Sequence, residues 1–172
     1  MRQLLLAHKE RGRHDLTPLL SRALVGAAAA ALGTARGPVL VVPIPSRRDA
    51  ARSRGYDHTQ RLAVDLAGRL RADGWQASAR SVLRVVRRVA DQGELDARGR
   101  RRNLDHAYGA VGRLPADLPV LVVDDVITTG STLVEATRAL RAAGAGDVVA
   151  TVLAATQRAG FGSDSPRRPA RY

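Results

Sequence analysis

The sequence predicts an α/β fold, a mostly parallel central sheet flanked by helices. Three observations predict it. Continuous apolar runs stand at PVLVVPIP (38–45), PVLVVDDV (119–126) and VVATVLAAT (148–156). Such runs lack the polar-apolar alternation of a sheet with one wet face, so both faces of each strand must be covered. Helical stripes separate the runs, and that order is the one a parallel sheet needs for its crossovers. The two unusual polar features, the segment after PIP and the Asp124–Asp125 pair, both fall at carboxyl ends of strands, where ligands bind in open α/β sheets.

The elements follow in chain order. Thr17-Pro18 reads as a helix start, with a hydroxyl at the N-cap and proline in the first turn. Leu20, Leu24 and Ala28 share one face, and Gly33 is the stop. Residues 58 to 72 read as a second helix with Leu62, Leu66 and Leu70 on one stripe. Asp65 lies four residues from both Arg61 and Arg69, a spacing that supports a helix weakly. Residues 82 to 86 and AYGAV (107–111) read as short strands. Between them the chain is dense in charge and glycine, too polar for a core, and is expected to be an exposed loop at about 87–108. Residues 132 to 143 read as a helix ending at Gly144. One domain over 1–160 is expected, with a Pro-, Ser- and Arg-rich tail at 161–172 that is expected to be disordered.

Composition narrows the function classes. The chain has 172 residues, 45% of them hydrophobic but only 3% aromatic, so its core is built of Leu, Val, Ile and Ala. A formal net charge of +12 suits anionic ligands, whether nucleic acid, acidic membrane or phosphorylated metabolite, and equally suits a merely well-solvated surface. The chain has no cysteine, which excludes disulfides and thiolate metal sites and is compatible with the cytoplasm, the expected location. The apolar run at 19–32 contains Arg22 and is too short to span a bilayer; a soluble protein is expected. The four histidines, His8, His14, His58 and His106, have no metal-ligand spacing. His58 is a minor candidate for a general base, and Trp75 is read as packing.

The segment that carries chemistry is VLVVDDVITTGST (120–132). Gly130 allows a positive φ and close approach of a ligand. Thr128, Thr129, Ser131 and Thr132 supply hydroxyls, and the helix that follows supplies unbonded N–H groups and the positive end of its dipole. Together they make a cradle for a phosphate dianion. Thr132 and Glu135 also fit a capping box, which would make this an ordinary helix start. No lysine follows, so the loop is not a Walker A motif, and it is not G-x-G-x-x-G either. Ionised carboxylates only accept hydrogen bonds, so hydroxyls are natural partners for Asp124 and Asp125. A sugar phosphate seated in the loop would bring vicinal hydroxyls to both acids.

VLVVDDVITTGST resembles the phosphoribosyl-pyrophosphate signature of the type I phosphoribosyltransferases. The resemblance implies that Asp124 and Asp125 hold the ribose 2′- and 3′-hydroxyls as the catalytic acids. It implies that Thr128, Thr129, Gly130, Ser131 and Thr132 hold the 5′-phosphate. VVPIPSRRDAARSRGYDHTQRLA (41–63) resembles the ComF branch, whose pattern runs V-P-[IV]-P, a basic loop, then R-G-F-N-Q. Arg54, Gly55, Leu62 and Ala63 match, while Tyr56, Asp57 and His58 stand where that pattern has Phe, Asn and Gln. In LRVVRRVADQGELDARGRRRNLDHAYGAV (83–111), Gln92, Leu95, Arg100, Asn103 and Ala107 match, and Tyr108 replaces Phe. The four-cysteine zinc module that usually opens ComF proteins is not in this sequence. The resemblance implies phosphoribosyl transfer, with Mg²⁺ carried mainly by the ligand, to an unidentified acceptor, usually nitrogen. Ser46, Arg47, Arg54 and Arg100 are the candidates to bind pyrophosphate, and Asn103 could join them or touch the acceptor. Residues 87 to 103 correspond to the hood that closes over such sites. Many relatives pair as homodimers, and the ComF name derives from DNA uptake. A non-catalytic module that senses phosphoribosyl pyrophosphate or nucleotides, or associates with nucleic acid, is therefore the competing expectation.

Overall fold

The structure, a computed structural model, describes residues 2–46, 57–86 and 106–155. In chain order it has α1 (Arg2–Glu10), a 3₁₀ turn (His14–Leu16), α2 (Thr17–Leu32), β1 (Pro38–Pro43), α3 (His58–Ala72), β2 (Gln76–Ala79) and β3 (Leu83–Val85). There follow β4 (Tyr108–Ala110), β5 (Val120–Ile127), α4 (Ser131–Ala142) and β6 (Val148–Ala155). Four strands form a parallel sheet in the order β2-β1-β5-β6, and β3 and β4 form a separate antiparallel pair.

Alternation along the central strands explains the two cores. Successive side chains leave a strand on opposite faces, so an unbroken apolar run must be covered twice. Val39, Val41, Leu121 and Val123 pack with Leu20, Leu24 and Ala28 of α2 and Leu62, Leu66 and Leu70 of α3. Leu40, Val42, Val120 and Val122 face the other way, against Ala136, Ala139 and Leu140 of α4 and against Leu83 and Tyr108 of the small pair. Each fully buried side chain of this size contributes about 1.5–3 kcal/mol. The α2–α3 contact also carries a polar tie. Arg69 Nε donates to Asp65 Oδ2 at 2.7 Å and to Ser21 Oγ at 2.9 Å, and the Ser21 hydroxyl donates to Asp65 Oδ2.

Several expectations are corrected. Thr17 is the first residue of α2 rather than its N-cap. The 3₁₀ turn runs into the helix through Leu16, which already has helical dihedrals, and the Thr17 hydroxyl pairs with buried His8 Nε2 at 2.9 Å instead. Of the run at 148–156, the described part Val148–Ala155 is an edge strand, mostly half-buried because the helices cover it only in part; Thr151 is its one buried residue. α1 and β2 were not foreseen. β2 is QASA, with no β-branched residue to announce it, and it is held by pairing with β1. Taken with the preceding turn, His14–Leu32 is 19 residues of mean hydropathy 1.2, which by length and composition alone would allow a membrane span. Its Leu20–Leu24–Ala28 stripe is nevertheless used up against α3 and the sheet. Trp75 is packing, as expected, with the Arg36 guanidinium 5.2 Å from its ring centroid. The tail at 161–172 lies outside the described residues.

Candidate functional site

The site forms because β5 outlasts β1. In register, Pro43, the last residue of β1, stands opposite Val123, whereas Asp124 is paired only on the other side, with Val152 of β6. Asp124 and Asp125 therefore stand past the carboxyl end of β1, at the kind of crevice where open parallel sheets bind ligands. The strand itself continues through the pair to Ile127 rather than ending at it.

Both acids are nearly buried, Asp124 at 9% exposure and Asp125 at 7%. Buried carboxylates need donors, and the backbone supplies two. Asp125 N–H donates to Asp124 Oδ1 at 2.8 Å, and Val126 N–H donates to Asp125 Oδ1 at 2.8 Å. A third contact comes from α3, where His58 Nε2 lies 3.2 Å from Asp125 Oδ2.

The loop behind the acids turns through the glycine into the next helix. Gly130 is left-handed, with φ 75 and ψ −7, and it occupies the N-cap of α4 without giving that helix a side-chain cap. The hydroxyls of Thr129 and Ser131 meet at 2.9 Å, and Ser131 N–H points to Thr129 Oγ1 at 3.5 Å. Thr128 is exposed, while Thr129, Gly130 and Thr132 are half-buried. The alternative capping box does not form. Thr132 lies inside the helix, and Glu135 turns inward, where its carboxylate accepts from Tyr108 N–H at 3.2 Å and from Arg138 at 2.7 and 2.8 Å. Burial pushes the Glu135 carboxyl up, but the Arg138 and Tyr108 hydrogen bonds outweigh it and hold the group below its ordinary value.

Ser46, at the end of the β1 segment, is drawn into the same cluster. Its Oγ donates to Asp57 Oδ1 at 3.0 Å, its N–H donates to Asp57 Oδ2 at 3.3 Å, and its Oγ lies 3.4 Å from His58 Nδ1. Asp57 is the N-cap of α3 and accepts from Thr59 and Gln60 N–H. His8 of α1 meets the His58 ring edge-on, with 6.2 Å between centroids. Burial first, then nearby His58 and His14, hold the His8 imidazole below its ordinary value, while Asp125 pulls the other way. Arg47, Arg54, Arg100 and Asn103 lie outside the described residues, as does the expected hood up to residue 105. Asp57 stands in the sequence as a departure from the family pattern; its N-cap role has a signal too, an acid directly before an amphipathic helix.

The chain is similar to known proteins. A model of the phosphoribosyl transferase domain matches residues 60–165, and the chain belongs to that family. A stretch of 111 residues, 64% of the chain, is 38% identical to the DNA utilization protein YhgH of Salmonella typhi and to that of Salmonella typhimurium, covering 45% of each. A stretch of 115 residues is 32% identical to competence protein F of Haemophilus influenzae, covering 64% of this chain and 48% of that protein. The chain thus spans about half the length of the curated relatives it matches. A solved structure described as the allosteric regulatory enzyme of purine biosynthesis matches with a TM-score of 0.48 and 19% identity, over 81% of this chain and 26% of its own.

Proposed function

We propose that this protein binds phosphoribosyl pyrophosphate and transfers its phosphoribosyl group to an acceptor, most simply a nitrogen nucleophile. The observation that carries the reading is one juxtaposition. Two nearly buried carboxylates on β5 stand a few residues before a left-handed glycine at the side-chain-uncapped start of α4. Asp124 and Asp125 would take the ribose 2′- and 3′-hydroxyls. Thr128, Thr129, Gly130, Ser131 and Thr132 would take the 5′-phosphate through N–H groups, hydroxyls and the helix dipole. Ser46 stands at the end of β1, where the pyrophosphate would lie, and Arg47, Arg54 and Arg100 are proposed to reach it from their segments.

In the reaction, the C1–O bond to pyrophosphate breaks, a C1–N bond forms, and the acceptor nitrogen gives up its proton to solvent. The oxocarbenium-like transition state carries positive charge on the sugar, so placement of the diol by two acids works by orientation and electrostatics. Among the described residues no group of three His, Cys, Asp or Glu side chains could cage a metal. Mg²⁺ would be held mainly by the pyrophosphate oxygens of the ligand and by water. When bound, the ion would neutralise the leaving polyanion. A chain without cysteine that uses a phosphorylated metabolite suits the cytoplasm.

The test is thermal. Phosphoribosyl pyrophosphate with Mg²⁺ at about 100 times its Kd should stabilise the fold by about 2.7 kcal/mol. At ~2–4 °C per kcal/mol for a domain of this size, Tm should rise by roughly 5–11 °C. Asp124→Asn with Asp125→Asn should abolish the shift and leave the fold intact. A wild-type protein that shows no shift refutes the proposal. Release of pyrophosphate from labelled donor, screened against bases and amines, identifies the acceptor.

A second reading draws on the relatives' names, DNA utilization and competence, and on the net charge of +12. A cavity of about 530 Å³ between β4 and α4 is lined in part by Arg113, Arg138 and Arg141. A non-catalytic module of this kind would bind DNA with an affinity falling steeply with salt. Negligible gel shift at ~0.15 M salt removes this reading.

A further inference from the structure

His58 touches both Ser46 and Asp125, and the donors and acceptors around its ring define how. Asp57 and Asp125, as carboxylates, can only accept. Ser46 has a single hydroxyl proton, which Asp57 Oδ1 at 3.0 Å and His58 Nδ1 share, while the Ser46 N–H also donates to Asp57. The same hydroxyl lies 3.4 Å from His58 Nδ1, to which it is the available donor when the ring proton sits on Nε2. On the far side of the ring, Asp125 Oδ2 at 3.2 Å requires that Nε2 carry a proton. The ring is nearly buried, at 3% exposure, so water does not supply these bonds in its place. His8 packs edge-on against it, and Asp57 anchors the assembly to the start of α3 through Thr59 and Gln60 N–H.

We infer that His58 is a positioning residue for the phosphoribosyl site: its Nε2–H holds the Asp125 carboxylate in place for the ribose diol and, through Nδ1 and Ser46, ties that acid to the segment leading into the pyrophosphate side. This rests on the ribose reading of Asp125 given above. Two bonds from different elements, Val126 N–H on Oδ1 and His58 Nε2–H on Oδ2, fix the carboxylate plane. Each oxygen has a second lone pair with which it can accept a sugar hydroxyl at the same time. The physical benefit is preorganisation, since an acid already held does not lose rotamer freedom when the sugar arrives. His58 itself need not touch the substrate.

The test compares His58→Gln, His58→Leu and His58→Asn by calorimetric titration with phosphoribosyl pyrophosphate and Mg²⁺, each variant first checked for a wild-type far-ultraviolet spectrum and a cooperative melt. Gln keeps an N–H donor at about the reach of Nε2, and it is the residue at this place in the pattern the chain resembles. Leu keeps the volume without a donor, and Asn is too short to reach. A hydrogen bond to a charged group contributes about 1.5–3 kcal/mol, so Leu and Asn should raise Kd about 10- to 150-fold while Gln stays within about threefold of wild type. A role in packing alone predicts the opposite order, with Leu tolerated best. A ligand-free measurement accompanies this. Long-range ¹H–¹⁵N spectra of histidine-labelled wild type should show His58 Nε2 protonated, and Asp125→Asn should move that resonance. Leu binding as tightly as wild type, or an Nε2 signal indifferent to Asp125→Asn, overturns the inference while leaving the proposed function standing. Wild type that binds no phosphoribosyl pyrophosphate overturns both.

Discussion

Glu135 gives the sharpest stability prediction, because one carboxylate holds two elements together. It is 5% exposed on α4 and accepts three bonds, one from Tyr108 N–H of β4 and two from Arg138. Arg138 in turn donates to Tyr108 O at 2.9 Å, so the pair brackets the β4 backbone. Glu135→Ala leaves a buried N–H and a half-buried guanidinium without their acceptor. Each orphaned group costs about 1–3 kcal/mol, and breaking a buried charged pair by deleting one member costs about 3–5 kcal/mol. Because Arg138 is partly solvated, the lower figure applies, about 3 kcal/mol. At ~2–4 °C per kcal/mol this lowers Tm by roughly 6–12 °C. Glu135→Gln keeps an acceptor for Tyr108 N–H and should cost about 1 kcal/mol. Urea unfolding monitored by circular dichroism measures both, with Cm falling and the slope unchanged. The Glu135 carboxyl titrates below its ordinary value when folded, so its stabilisation is fully present above about 4.5 and is lost as pH falls through the folded value. If Glu135→Ala melts within about 1 °C of wild type, the bracket does not hold β4 and this account of the α4–β4 contact is wrong.

Other expectations follow from single contacts. A Cβ at Gly146 would stand 2.3 Å from Ala116 O, a backbone atom, so Gly146→Ala must displace a loop. Overpacking of this kind costs about 1–3 kcal/mol, read as a Tm lowered by roughly 2–12 °C; an unchanged Tm would show that the 116 loop yields freely. His8 is held below its ordinary value of 6.5, so below that pH the unfolded chain binds the extra proton and stability falls as pH drops. Melting curves between pH 8 and 5 should show that fall in wild type and a smaller one in His8→Gln; equal slopes would count against a buried neutral His8.

The parts of the candidate site legible in the sequence are the contiguous ones. Asp124, Asp125 and the loop to Thr132 are neighbours in the chain, and glycine, hydroxyls and a following amphipathic stripe specify a local geometry. The same holds for α3, expected at 58 to 72 and found at His58–Ala72. Misreadings arise where local and tertiary partners compete. Thr132 and Glu135 have the spacing of a capping box, but β4 offers Glu135 a buried backbone donor, and the helix begins one residue earlier at Ser131. Thr17 looks like a cap until His8 takes its hydroxyl.

From residue order alone came the strand cores, the acidic pair, its glycine loop and the family pattern, because each depends on short-range periodicity or on adjacent groups. Folding alone decided that β5 runs past β1 to stand the acids at an open edge, and that His58, 67 positions away, meets Asp125. Strand register and helix docking set those contacts through the packing of two apolar faces, a property of the assembled sheet that no single segment of the chain encodes.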